Sequence, residues 1–195
     1  MGHSHSVYMA DASGQDIYVM AALTREWAIL DFVADAALLV AGVEGIVEAA
    51  VADAAGLPGA IKSFSDLFDY LKVAVQIISS ADRAESGASS AAQALVNAYQ
   101  NTSIPIANND YKDVQKEGVL SIYLSPSGIA GLLGAKTVSV MVLSGDGKQL
   151  AMWDTGDDDS WIATDQQTIV RSVYGSIFKQ DPGSGSEDWS DMISS

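Results

Sequence analysis

The stretch Thr137-Val138-Ser139-Val140-Met141-Val142-Leu143-Ser144-Gly145-Asp146-Gly147-Lys148-Gln149-Leu150-Ala151-Met152-Trp153-Asp154 decides how the fold is read. From Thr137 to Leu143, Val138, Val140 and Val142 fall on one side of an alternating pattern. Thr137, Ser139, Met141 and Leu143 fall on the other. A period of two built on β-branched residues marks a strand. Ser144-Gly145-Asp146-Gly147 then reads as a hairpin turn, because glycine supplies the positive φ that short hairpin loops need. Lys148 to Asp154 returns as the partner strand.

Working outward, the same period continues downstream. Trp161–Thr164 and Thr168–Phe178 read as further strands, the second with Val170, Ser172 and Tyr174 opposite Ile169, Arg171 and Val173. Upstream, Gly118–Ser125 reads as a strand ended by Pro126-Ser127-Gly128. Ile104-Pro105-Ile106 is extended, since the residue before proline avoids the α region. Asp16–Met20 is short and partly β-like.

Between these segments the period changes to that of a helix. Residues 24–41 and 43–55 read as two helices or one kinked helix, with Gly42 and Gly45 at the break. Gly56-Leu57-Pro58-Gly59 stops one helix and restarts another. The next helix is predicted over about 58–80 from Ile61, Phe64, Leu67, Phe68, Leu71, Val75 and Ile78, which recur every three or four residues. Residues 91–100 regain helical spacing through Ala91, Leu95, Val96 and Tyr99.

Helices first and strands after point to an α+β fold: a helical N-terminal layer packed on a C-terminal antiparallel β-sheet or small sandwich. The expected organisation is a flexible leader over 1–15, a mainly helical region over 16–100 and an antiparallel β region over 101–180. The last two form one compact domain, followed by a disordered acidic tail over 181–195.

Composition narrows the function. The chain carries 25 acids and 10 bases, a formal net charge of -15, and 19 of the acids are Asp. With no basic stripe to neutralise phosphates, nucleic-acid binding and electrostatic docking to anionic lipid are not expected. There is no cysteine, so disulfides, thiolate metal sites and Cys nucleophiles are excluded. The two histidines, His3 and His5, stand at the N-terminal end, which leaves no histidine base for a core active site. No cleavable signal peptide and no transmembrane helix are visible, since acids interrupt the apolar run over 23–56.

Two features of the acidic segment suggest chemistry. Asp154-Thr155-Gly156 after an apolar strand resembles the catalytic loop of retroviral-type aspartic proteases, over Val138 to Ile162. That resemblance implies a role for Asp154 as one of two carboxylates, one per subunit, that share a proton. The chain departs from the family pattern at Asp157, where a small residue belongs. Separately, Asp154, Asp157, Asp158, Asp159 and Asp165 offer the hard oxygen ligands that Ca²⁺ prefers, without meeting the EF-hand spacing. Calcium is the one candidate cofactor.

Aromatic residues gather late in the chain. Trp153, Trp161, Tyr174 and Phe178 read either as sheet core or as a surface platform, and Trp189 in the acidic tail either as idle or as a docking anchor. The expected function is a non-enzymatic structural protein that self-associates, as a homo-oligomer, or binds a protein partner. The alternative is a membrane-acting, pore-forming-type protein whose Ala/Val/Gly-rich segment 36–61 inserts. An aspartic protease using Asp154 is the third reading.

Overall fold

The computed structural model describes residues 6–22, 24–25, 41–42, 44–46, 61–80, 87–115, 136–165, 168–173, 175–183 and 186–188. Two strands open it and enter two different sheets. β1 (Tyr8–Asp11) and β2 (Ile17–Ala22) are followed by α1 (Phe64–Ser79) and α2 (Gly87–Thr102). Then come β3 (Ile104–Ile106), β4 (Tyr111–Asp113), β5 (Thr137–Ser144), β6 (Leu150–Gly156) and β7 (Ser160–Ala163). The last strands are β8 (Thr168–Val173), β9 (Ser176–Gln180) and β10 (Ser186–Asp188).

A four-stranded sheet runs in the order β3-β2-β5-β6, and a 6-stranded sheet in the order β10-β8-β7-β1-β4, with β9 also paired to β8. The protein is therefore mostly β. The expected helical N-terminal layer on a C-terminal antiparallel sheet is wrong, because β1 and β2 occupy interior positions in the two sheets and the helices enter between β2 and β3. The β1–β7 ladder is parallel, which also departs from the antiparallel expectation. Tyr8–Asp11, placed by the sequence in a leader, pairs with both β4 and β7. Ser186–Asp188, placed in a disordered tail, pairs with β8.

The four-stranded sheet is buried on both faces. Register puts Val19 against Val142, Ala21 against Val140, and Val140 against Trp153, so one face is Val-rich. Met20, Met141 and Met152 share the other. A strand covered on both sides reads as a continuous apolar run rather than an alternating one, which is why Ile17–Ala22 gives only a weak strand signal.

The helices cover the methionine face. The Tyr99 hydroxyl of α2 donates to the Met141 carbonyl of β5 at 2.8 Å. Burial pushes the Tyr99 hydroxyl well above the usual phenol range. α1 begins where Ser63 accepts from the Asp66 N–H at 3.1 Å and Asp66 accepts from the Ser63 N–H at 3.0 Å. This reciprocal pair is a capping box, and it sets the start inside the predicted 58–80 span. Gly42, in a helical segment, lies so close to α2 that a Cβ there would sit 3.0 Å from Leu95 Cα.

The Val-rich face meets the inner face of the six-stranded sheet. Trp153 and Trp161 stack between the sheets with centroids 5.3 Å apart and planes at 57°. Val7, Met9, Trp161, Ala163 and Ile169 join the same core from the six-stranded side. The strand predicted at Gly118–Ser125 lies outside the described residues.

Candidate functional site

The acidic segment forms the corner where the chain leaves β6 and enters β7. Asp159 accepts from Thr155 Oγ1 at 2.7 Å and from the Gly156 N–H at 3.1 Å, and forms an ion pair with Arg171. Asp154 lies back on β6. It accepts from Ser139 Oγ at 2.6 Å and from Arg25 Nε at 3.2 Å. Asp157 donates its backbone N–H to the Lys136 carbonyl at 3.1 Å. Asp158 is exposed in the turn, and Asp165 is exposed beyond the end of β7.

Asp154 and Asp159 thus accept from different donors. Among the described residues, no group of three His, Cys, Asp or Glu is placed to hold a metal ion. Asp154, the residue of the protease-like tripeptide, sits beside Ser139 and Arg25 among the described residues.

The tryptophans divide in the same manner. Trp153 and Trp161 are core residues, at 2% and 6% exposure, so neither forms a surface platform. Trp189 lies outside the described residues. The segment 36–61 is described only at 41–42, 44–46 and 61. No helix among the described residues is long and apolar enough to cross a membrane.

The structure presents a different aromatic surface. Register sets Tyr111 of β4 beside Ala10 of β1, Ala10 beside Ile162 of β7, and Ile162 beside Val170 of β8. Trp161 and Met9 point into the core, so alternation turns this row to the outer face of the six-stranded sheet. The chain reverses at Gly175, with φ of 79°, a conformation open to glycine. β9 then packs Ile177 onto Ala10, Ile162 and Val170.

β9 also carries Phe178 to Tyr111, at 6.2 Å and 83°, an edge-to-face contact. Tyr8 continues the series at 6.3 Å from Tyr111. Tyr111 and Phe178 are the exposed large hydrophobic residues among those described, at 49% and 45%.

The turn that delivers Tyr111 is anchored on β1. The Asp11 N–H donates to the Asp110 carbonyl at 2.9 Å, and the Asn109 N–H donates to the Asp11 carbonyl at 2.7 Å. Asn109 adopts φ of 66°, a left-handed conformation that Asn tolerates. Phe178 belongs to the late aromatic group that the sequence offers as core or surface platform, whereas Tyr111 does not stand out in the sequence. The usable signal is the turn-forming run Asn108-Asn109-Asp110 directly before an aromatic residue.

Comparison with protein families, with curated proteins and with solved structures finds no match.

Proposed function

We propose that the protein is a non-enzymatic binding protein that self-associates through the outer face of its six-stranded sheet, around Tyr111 and Phe178. The observation that carries this reading is the pair of large rings left about half exposed where their neighbours Ala10, Ile162 and Val170 are buried. Exposed aromatic clusters of this kind mark interaction surfaces. An edge-to-face contact sets the edge of one ring on the face of another, so Tyr111 of one copy can meet Phe178 of the second while the reciprocal pair forms across a two-fold axis.

Two of the sheet edges favour contact through a face over contact through backbone pairing. β3, at one edge of the four-stranded sheet, carries exposed Pro105, which has no N–H to offer a further strand. β4, at the edge of the other sheet, is 3 residues long. Short edges and edge prolines resist strand addition.

A net charge of -15 repels copies of the chain over long distances. At physiological salt the Debye length falls to about 8 Å, which leaves the short-range apolar contact in control. Association therefore strengthens as salt is added. Sedimentation velocity over a salt series tests the reading. The wild type moves to larger species with salt, and the double variant Tyr111→Ser/Phe178→Ser remains a monomer. A wild type that is monomeric at every salt and protein concentration contradicts it.

A further inference from the structure

Asp11 ends β1 with its side chain on the core side, in the row of Met9 and opposite Ala163. It is 0% exposed. One carboxyl oxygen, Oδ1, accepts from the Ser13 N–H at 2.9 Å. The other, Oδ2, is buried and has no hydrogen-bond partner among the described residues.

A carboxylate in that position carries a desolvation cost that Ser13 alone offsets, through its backbone N–H and its side chain. The charge set against it has the same sign, and the basic residue on the paired strand, Lys112 of β4, shares the inner face through its register with Met9. Asp16 is on its own loop, and the Asp16 carboxylate accepts from the Asn108 N–H at 3.3 Å. Asp110 is on the adjoining turn and accepts from the Tyr111 N–H at 2.8 Å. Asp146, on the β5–β6 hairpin, accepts from Ser144 Oγ at 2.6 Å. β7, across the ladder, contributes neutral Ala163.

The backbone of the same residue holds the 107–110 turn through its N–H and its carbonyl. We propose that Asp11 is a proton-operated latch: with its carboxyl protonated it holds the 107–110 turn closed on β1, and on ionisation it loosens that turn and with it the placement of Tyr111. The latch rests on the structure of β1 and its turn. Its consequence for association rests on the reading of the Tyr111–Phe178 face given above. Burial holds this carboxyl above the usual carboxylate range against the opposing Ser13 hydrogen bonds, with a smaller push from the Asp16 charge, so the transition falls above the pH at which exposed acids titrate.

The test is amide exchange on dilute, monomeric protein, read at the Asp11 and Asn109 N–H groups across a pH series. Comparison at each pH with Asp11→Asn, which cannot ionise, removes the intrinsic pH dependence of exchange. The ratio of protection, variant over wild type, rises with pH, by up to about tenfold for each pH unit by which the folded-state value exceeds the unfolded one. Asp16→Asn moves the onset to lower pH. A ratio that is flat with pH, or that rises by the same factor at the β5 core amides as at Asp11 and Asn109, overturns the proposal, because an equal rise reports unfolding of the whole fold. Should Asp11→Asn fail to fold, the ¹³C titration of the Asp11 carboxyl in the wild type decides. A midpoint at or below the ordinary value of about 3.9 overturns the latch, and a midpoint above it, accompanied by shifts at Asn109 and Tyr111, upholds it. Because the protein is monomeric in these measurements, failure of the self-association reading leaves the result on the latch intact.

Discussion

The indole N–H of Trp161 donates to Thr155 Oγ1 at 2.8 Å inside the core. Thr155 passes its own hydrogen to Asp159, and Asp159 pairs with Arg171 on β8. The acidic corner is thereby tied to both sheets: Thr155 belongs to β6, Trp161 and Arg171 to the opposing layer. Thr155→Val keeps the shape and removes the acceptor, leaving a buried indole N–H unpaired. The expected cost is about 1–3 kcal/mol in denaturant unfolding. Asp159→Asn, which keeps an acceptor for Thr155, costs less. Equal losses for the two variants would contradict this order.

The β5–β6 turn needs its two glycines for different reasons. Gly147 has φ of 71°, and a Cβ there would sit 3.0 Å from Val96 Cγ1. Gly145 is absent from the positive-φ residues, contrary to the sequence expectation that both glycines serve the turn conformation. A Cβ on Gly145 would instead lie 2.7 Å from the Asp16 carbonyl oxygen, a backbone atom with little room to move. Gly145→Ala is expected to destabilise by about 1–3 kcal/mol, in the manner of an overpacked site. A melting temperature unchanged by Gly145→Ala would refute the close approach.

Asp11 gives stability a pH dependence opposite to that of most acids. Its folded-state value is raised, chiefly by burial, so the folded chain holds the proton more tightly than the unfolded chain. The stability it contributes is complete below the unfolded value of about 3.9 and is lost as pH rises through the raised folded value. At neutral pH, Asp11→Asn should therefore be more stable than the wild type, and the gap should close toward about pH 4. Unfolding curves at a series of pH values check this. A variant less stable than the wild type at neutral pH would show that the carboxylate is satisfied.

The acidic corner should be indifferent to calcium. Asp154 already accepts from Ser139 and Arg25, and Asp159 from Thr155, Gly156 and Arg171. A cation would have to displace these donors. Millimolar Ca²⁺ and excess chelator are expected to give the same melting temperature, whereas a bound ion would raise it by mass action.

How much of this was legible in the sequence follows from how local each signal is. The β5–β6 hairpin combines alternation with a glycine turn inside one short stretch, and α1 shows its apolar stripe in consecutive turns, although the Ser63 cap starts it later than the Pro58 signal suggests. β1 is different. It is 4 residues long, and what makes it a strand is pairing with Tyr111–Asp113 and Ser160–Ala163, far away in the chain. The candidate face has the same character. Tyr111 and Phe178 meet because β9 folds back over the sheet, and no spacing encodes that contact. Of the aromatic residues prominent in the sequence, Trp153 and Trp161 fill the core because they face each other across the two sheets, while Phe178 is left exposed.

The most direct test of the central claim is concentration-dependent amide exchange at physiological salt. Comparing dilute with concentrated wild-type protein, the account predicts new protection at Tyr111 and along 176–180, with β3 and β6 unchanged. New protection along β3 or β6, or none anywhere while larger species form, would contradict association through the outer face of the six-stranded sheet.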